Sequence, residues 1–196
     1  MTAATESPRE ALLERIVEWF AAHGVLDTSL RSLAAGVGTS SRMLNYHFGS
    51  REELLAAVVT TVCDAERQAL EDALDGTSDP LDACRDYWDH LAESAQVFAP
   101  LFYELSAHAM YGKDYARGLR RHLTDAWLGG FRGAFLHVTD ADHAEELAGL
   151  SVAVGRGVLF DMALTGDRDG ADAAIETYVD MVRRSLEGAR SASAAG

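Results

Sequence analysis

The sequence is short of cysteine, proline and positive charge. Its 196 residues include two cysteines, three prolines and 17 lysines and arginines against 31 aspartates and glutamates, which leaves a net charge of −14. This acidic balance excludes a basic protein that coats nucleic acid, so any nucleic-acid contact must be local. Cys63 and Cys84 stand at no metal-ligand spacing and lie within apolar helical stretches. That setting favours buried free thiols, with one disulfide as the open alternative.

The chain also lacks a secretory leader, an uninterrupted apolar span and the two-residue alternation of a half-buried strand. The N-terminal MTAATESPRE has no basic stretch followed by an apolar core, and Arg156 and Asp161 interrupt the most apolar later segment. We therefore expect a cytoplasmic protein without a membrane partner. With 48% hydrophobic residues and few β-branched runs, the composition predicts an all-α fold.

Helix-start and turn residues divide the chain into about nine predicted helices. Ser7 with Glu10, and Ser50 with Glu53, form capping boxes, and residues 75–80 are the clearest domain boundary. We predict a small N-terminal domain over residues 7–50, a connecting helix over 51–74 and a larger helical domain over 75–190. Within the larger domain, helices are expected over residues 80–96, 100–110, 115–135, 142–164 and 171–186.

Residues 29–51 differ in charge from the rest of the chain. They hold three arginines, Arg31, Arg42 and Arg51, and no aspartate or glutamate. An acid-free window in an acidic chain is typical of an element that approaches phosphate groups. This window is the first indication of a DNA-binding element.

The same window predicts two short helices joined by a tight turn. Ser29 caps the first helix, a Gly-Val-Gly sequence at residues 36–38 ends it, and Thr39 or Ser40 caps the second. Ala34 is small enough to let the two helices cross closely. Gly38 can take the positive φ that a tight turn requires.

The second of these helices presents a polar face. If Leu44 and Phe48 point into the core, short polar groups, an arginine and an asparagine stay exposed, and such side chains suit base edges and phosphates. The simpler alternative is a solvated helix face with arginines placed by chance; spacing and charge together favour DNA. The residues predicted to contact DNA are Ser29, Arg31, Thr39, Ser40, Ser41, Arg42, Asn45, Tyr46, His47 and Arg51.

Residues 12–55 resemble the N-terminal domain of the TetR family of transcriptional regulators. The resemblance is carried by Phe20, Gly24, Thr28, Ser29, Leu30, Arg31, Ala34, Gly38, Leu44, His47, Phe48 and residues 50–55. It implies a three-helix DNA-binding head with a helix-turn-helix, a divergent helical ligand-sensing body and a homodimer. The sequence departs from the family at Asn45, where members commonly have Tyr and where Tyr46 follows. Arg51 stands where members usually have Lys, which keeps the charge but changes the hydrogen-bond geometry.

Aromatic residues concentrate in the larger domain. One interpretation is a core packed from large side chains, and it will hold for most of them. The resemblance implies in addition an apolar ligand pocket between helices, completed by a few polar groups. The residues predicted to bind the ligand are Trp88, Phe102, Tyr103, His108, Trp127, Phe131 and Arg156.

The helix predicted to end near residue 164 is apolar on more sides than one core requires. Gly149, Ala153 and Gly157 add a stripe of small residues at intervals of four. We predict that this helix and the final one pair with their copies as a four-helix dimer interface, against the competing interpretation of full burial within one subunit. The residues predicted to form the interface are Leu150, Val154, Gly157, Val158, Ile175, Tyr178, Val179 and Val182.

The sequence contains no HExxH motif and no histidine and cysteine at zinc-ligand spacing, so no enzyme activity, cofactor or metal is expected. The predicted function is a dimeric, ligand-responsive transcriptional regulator. It would act as a repressor that binds a near-palindromic double-stranded DNA operator and is released by a small, largely apolar effector. Two alternatives stay open: a DNA-binding regulator controlled by a protein partner or by nothing, and a small all-helical enzyme with an incidental helical hairpin.

Overall fold

The computed structural model describes residues 7–25, 28–117 and 125–194. Within these ranges the chain forms eight α-helices and one short 3-10 helix, with no strand, which confirms the all-α prediction. In chain order the helices are α1 Pro8–His23, α2 Leu30–Gly36, α3 Ser41–Phe48, α4 Arg51–Gly76, α5 Pro80–Met110, η1 Asp114–Ala116 (3-10), α6 Ala126–Phe135, α7 Ala141–Thr165 and α8 Arg168–Ala194. We call α1–α3 the head, and α5–α8 with η1 the body.

Serine side chains start the first four helices. The hydroxyls of Ser7, Ser29, Ser40 and Ser50 each accept a hydrogen bond from the backbone N–H three residues later, at 3.1 to 3.2 Å. At the first and last of these positions a glutamate completes the capping box. Such a cap stabilises a helix by about 1 kcal/mol. Both predicted capping boxes are confirmed, and Ser40 rather than Thr39 caps α3.

Helix α5 corrects the prediction of two helices separated before Pro100. The structure has one continuous helix, Pro80–Met110, with Pro100 inside it. A proline within a helix loses one backbone hydrogen bond and costs about 3 kcal/mol. Here Phe98 and Ala99 before the proline, and Leu101 and Phe102 after it, are all buried. Their burial fixes both halves of the helix in the same core and offsets that cost.

Other helix boundaries differ less from the predictions. The connecting helix α4 continues to Gly76, and α8 extends from Arg168 to Ala194, beyond the predicted residues 171–186 at both ends. Of the single helix predicted over residues 115–135, the structure describes η1 at its start and α6 at its end. Residues 118–124 of that predicted helix lie outside the described residues.

The apolar core of the head continues into that of the body. Ile16, Leu33 and Leu44 are buried in the head, and they belong to the same apolar cluster as Leu55 and Val58 of α4. Helix α4 then packs along α5, and α1 also contacts α5 directly. Two helices outside the head, α4 and α5, therefore contact it.

Candidate nucleic-acid interface and body cavity

The turn between α2 and α3 has the geometry that its sequence predicts. Gly38 has a φ of 68°, in the left-handed region that favours glycine. The backbone N–H of Thr39 donates to the carbonyl of Ala34 at 2.8 Å, which closes the turn. Ala34 itself is buried where the two helices meet. The two short helices are thus held as one rigid hairpin.

A second glycine is required by close packing that the sequence did not reveal. A Cβ atom built on Gly36 would overlap the indole ring of Trp19 on α1. Glycine therefore lets the end of α2 lie directly against α1. Sequence reasoning treated Gly36 only as a helix terminator, because the position of Trp19 across the head cannot be read from spacing.

Helix α3 is oriented as predicted. Leu44 and Phe48 are buried, while Arg42, Asn45 and Tyr46 are exposed, Tyr46 at 77%. Arg9 of α1 also holds the end of this helix, because its Nε donates to the carbonyl of His47 at 3.2 Å and its guanidinium lies over the Phe48 ring. The polar face of α3 is therefore exposed and can contact a DNA groove.

Met43 is an exposed residue of this face that sequence reasoning missed. Its side chain is 41% exposed and stands beside Arg42 in the sequence. An apolar side chain at such a position can contact the methyl group of thymine in the major groove. The sequence alone could not separate Met43 from a core residue, since an apolar residue next to Leu44 fits either face.

The remaining predicted DNA-contacting residues are placed differently from one another. Arg31 is exposed, whereas Ser41 and His47 are half-buried. The hydroxyls of Ser29 and Ser40 accept backbone hydrogen bonds as helix caps, and each keeps a proton that it can donate to a phosphate. Contacts of these residues with DNA stay a prediction.

One backbone segment of the head is held from two sides, and we call this contact the junction clamp. Val25, between α1 and α2, is fully buried, and its N–H donates to both carboxylate oxygens of Glu104 on α5, at 2.8 and 3.0 Å. The carbonyl of Val25 accepts a hydrogen bond from Arg51 Nη2 at 2.9 Å. Arg51 therefore has a partner inside the protein, and among the described residues this is the one hydrogen bond that its five N–H donors make, which leaves room for the predicted phosphate contact.

The junction clamp predicts that Glu104→Ala loosens the head. Without the carboxylate, the buried N–H of Val25 loses its acceptor, at a cost of about 1–3 kcal/mol. Amide hydrogen exchange at Val25 should become about 10-fold or more faster, since 1.4 kcal/mol is a factor of ten. Glu93→Ala, which removes an exposed carboxylate of the same helix, is the control and should leave this exchange rate unchanged. Equal rates for the two variants would show that Glu104 does not hold the head.

A small cavity lies in the body, between α5, α6, α7 and α8. Its volume is about 60 Å³, well below the roughly 300–1,000 Å³ of typical ligand pockets, so a ligand must widen it. Five of the seven predicted ligand-binding residues line it: Trp88, Phe102, Trp127, Phe131 and Arg156. The lining also includes residues that sequence reasoning did not assign to a pocket, namely Cys84, Tyr87, Leu91, Phe98, Ser151, Val152, Gly155, Leu159, Ile175 and Tyr178.

Two predicted ligand-binding residues lie away from the cavity. The Tyr103 hydroxyl donates to the carbonyl of Arg156 at 2.6 Å, which braces α7 against α5. His108 pairs with the Tyr115 hydroxyl at 2.6 Å and lines a separate open groove that Arg51 and Glu104 also border. Neither residue is among the described residues that line the cavity, so their contact with a ligand stays a prediction.

A buried glutamate stands behind the cavity, on the connecting helix. Glu66 of α4 lies 3.5 Å from the Tyr87 hydroxyl, which donates to it, and 3.5 Å from His90 Nε2. Burial raises the pKa of the Glu66 carboxyl, although both neighbours act in the opposite direction. Tyr87 lines the cavity, so this cluster links the cavity to the helix that leads to the head.

The raised pKa predicts how stability changes with pH at Glu66. The folded protein holds the Glu66 proton more tightly than the unfolded chain, so ionisation lowers the free energy of unfolding as pH rises above about 4.5. Glu66→Gln stays neutral and escapes that loss, so its stability advantage over the wild-type protein should grow with pH in urea denaturation at several pH values. Glu71→Gln, an exposed position on the same helix, is the control. A difference that does not change with pH would contradict this assignment.

The predicted dimer residues divide between two surfaces. On α8, Ile175, Tyr178, Val179 and Val182 are all buried within the subunit. Their helical stripe packs on the subunit's own core, and two of the four line the cavity, so the competing interpretation of burial within one subunit is favoured for this part of α8. On α7, Leu150 and Gly157 are exposed and Val154 and Val158 are half-buried, which leaves the α7 part of the prediction open.

The exposed apolar and small residues of these two helices overlap only partly with the predicted interface residues, and we call them the α7–α8 face. It comprises Leu150, Gly157, Phe160, Leu164 and Met181, and Leu164 is 70% exposed. By length and composition α7 is also the one described helix that could cross a membrane, and only 28% of its apolar window is buried. Packed helices of soluble proteins share this length and composition. The low burial means that one face of α7 stays exposed on the single subunit.

Neither cysteine forms a disulfide. Cys63 and Cys84 are free and buried, and burial raises the pKa of each thiol to about 12, so both are inert protonated thiols at neutral pH. Among the described residues, no group of three or more His, Cys, Asp or Glu side chains is arranged to hold a metal ion.

Residues 12–58 match the family described as bacterial regulatory proteins, tetR family, which covers the hairpin, the exposed face of α3 and the start of α4. This N-terminal segment is therefore a TetR-family domain. Over 76 residues it is 34% identical to the HTH-type transcriptional repressor KstR2 of Mycobacterium tuberculosis. That alignment spans 39% of this chain and 38% of the KstR2 chain. The family and this relative are transcriptional regulators and not enzymes.

Solved structures show the same fold over nearly the whole chain. A transcriptional regulator from Rhodococcus sp. Rha1 is 21% identical, with a TM-score of 0.77 over 93% of this chain and 98% of its own. AibR, solved in complex with isovaleryl coenzyme A and operator DNA, is 16% identical, with a TM-score of 0.64 over 89% of this chain and 97% of its own. At these identities the likeness shows the TetR-like all-α fold, including the body.

Proposed function

We propose that this TetR-family protein is a dimeric repressor that binds a near-palindromic DNA operator and is released by a small effector. The observation that carries the proposal is the exposed face of α3, with Arg42, Asn45 and Tyr46, in a helical hairpin without an acidic residue. Repression is inferred from KstR2, whose name describes a repressor. In this proposal residues 7–50 bind DNA, α4 connects, and residues 75–190 bind the effector and form the dimer, in the cytoplasm.

The α7–α8 face supports the dimer. Its α7 members, Leu150, Gly157, Phe160 and Leu164, are apolar or small residues at helical spacing, and a second copy related by a twofold axis would cover them. Two helices from each subunit would then form a four-helix bundle. In this arrangement the partner subunit covers the exposed apolar residues of α7. A membrane is then not needed to explain them.

The body cavity and the junction clamp support control by an effector. A molecule that enters the 60 Å³ cavity must push α6 and α7 away from α5. Helix α5 holds Val25 of the head through Glu104, and α4 carries Glu66 next to the cavity-lining Tyr87. Movement of α5 or α4 changes the separation between the two heads of the dimer. The effector shifts this equilibrium only by as much as its affinities for the two states differ.

Selection from a random-sequence duplex library with the purified protein tests the proposal. We expect enrichment of an inverted repeat whose half-sites are centred about 34 Å, one helical turn, apart or a multiple of that distance. A library selected with a variant that lacks the exposed α3 side chains Arg42, Asn45 and Tyr46 is the control. No enrichment with the wild-type protein would rule out sequence-specific DNA binding.

A further inference from the structure

The side chains that line the body cavity carry charge of one sign. Among the described residues of the lining, Arg156 is the one with a charged side chain, and no aspartate or glutamate is present. The Arg156 guanidinium lies over the Trp127 ring, 5.3 Å from its centroid, so the positive charge stands at the aromatic wall between α6 and α7. A cationic ligand would meet repulsion here, whereas an anionic group would meet attraction.

Most of the other polar groups of the lining already have hydrogen-bond partners within the protein. Ser151 donates to the carbonyl of Leu147 and is paired with the Tyr178 hydroxyl, and Trp88 Nε1 donates to Asp172 at 2.7 Å. These groups are satisfied within the protein. In contrast, Trp127 Nε1 is buried near the Tyr87 hydroxyl and makes no hydrogen bond of good geometry to a described residue. A buried N–H of this kind favours a ligand that brings an acceptor.

Burial of the guanidinium adds a reason for an anionic ligand. The pKa of Arg156 is lowered because burial disfavours its charged form. A ligand carboxylate beside it would favour the charged form of the guanidinium, in addition to the contact with Trp127, and the planar N–H donors of arginine suit a carboxylate better than the ammonium of lysine. The rest of the wall, including Phe98, Phe102 and Phe131, can contact only the apolar part of a ligand.

We propose that the effector of this protein is a small apolar carboxylic acid in its ionised form, with its carboxylate bound by Arg156 and Trp127 Nε1. Its apolar body lies against the phenylalanine wall between α5 and α6. The inference rests on the proposed function, because it names the chemical class of the molecule that the body cavity takes. The cavity must open further to admit it, since even benzene occupies an apolar cavity of about 150 Å³.

Isothermal titration of the full-length protein with matched probes tests this inference without DNA. The probes are 4-phenylbutanoate and octanoate, the corresponding neutral amides, and the corresponding primary amines. We expect the acids to bind at least 10-fold more tightly than their amides, and the amines to bind more weakly still. Arg156→Met, which keeps an unbranched side chain without the charge, should lose the preference for acids. Arg156→Lys should keep part of it.

Arg132→Met is the matched control, because Arg132 lies on α6 but is exposed and paired with Glu145 outside the cavity. It should leave the preference for acids unchanged, and circular dichroism of all three variants checks that they are folded. Equal binding of acids and amides, no binding of either acid at millimolar concentration, or an unchanged preference in folded Arg156→Met would each overturn the inference.

The inference and the proposed function fail separately. If the acids bind with the expected preference but leave DNA affinity unchanged, the ligand class stands and the release mechanism is wrong. If the library selection returns an operator but only amides or amines bind, the regulator stands and the ligand class is wrong.

Discussion

Leu164→Arg is expected to yield a folded monomer that binds its operator about 100-fold more weakly than the wild-type protein. Leu164 is 70% exposed and lies at the end of the α7–α8 face. A charge placed there would be buried without a partner when two copies meet, which is strongly destabilising for the interface. With the heads no longer joined, each binds only a half-site, and the gain from binding two linked sites is lost.

The control for this prediction is Met110→Arg. Met110 is 82% exposed at the end of α5 and is not part of the α7–α8 face, so a similar change is made where no partner is proposed. Sedimentation at micromolar concentration should show a dimer for the wild-type protein and for Met110→Arg, and a monomer for Leu164→Arg. A wild-type monomer, or a dimer that survives Leu164→Arg, would contradict the interface.

Arg42→Ala has the second large expected effect, a loss of sequence preference. Arg42 is exposed at the N-terminal part of α3, and an arginine that pairs with guanine contributes about 1–3 kcal/mol of discrimination at each base. We therefore expect affinity for the operator to fall about 10- to 100-fold for each half-site, while affinity for random DNA changes much less. Anisotropy titrations on the selected operator and on a scrambled duplex measure both quantities.

Two other arginine variants sharpen this test. Arg67→Ala removes the same charge from the surface of α4, where Arg67 pairs with Glu71, and should change neither affinity. Arg51→Ala should weaken binding to all sequences similarly if Arg51 contacts phosphate, and it also removes a hydrogen bond to Val25. Equal losses on operator and scrambled DNA for Arg42→Ala would show that Arg42 does not contact bases.

The parts of the fold that are set by local sequence could be predicted. Each capping serine accepts a hydrogen bond from the backbone N–H three residues later, and Gly38 makes the turn through its own backbone conformation. The spacing of these residues was therefore enough to predict both features. Pro100 misled the prediction of α5 for the same reason. Its local effect is to break a helix, and here the burial of both flanks overrides that effect.

Contacts between distant segments could not be predicted. Val25 and Glu104 are 79 residues apart, and nothing in either local sequence indicates that they meet. The stripe that includes Ile175 and Val179 was visible as an apolar face, but spacing cannot tell whether its neighbour belongs to the same subunit or to a second copy. The cavity shows the same limit, because Trp88 and Arg156 could be proposed from residue type whereas Ser151 and Tyr87 needed the packing of four helices.

The most direct test of paired heads reading one operator is the effect of half-site spacing on affinity. Inserting 5 base pairs between the half-sites of the selected operator separates them by about 17 Å more and turns them to opposite faces of the duplex. The control duplex carries 5 substituted base pairs at the same place without insertion. The account predicts an affinity about 100-fold lower for the insertion and little change for the control. Equal affinity for the original and inserted duplexes would show that the heads do not act as a pair.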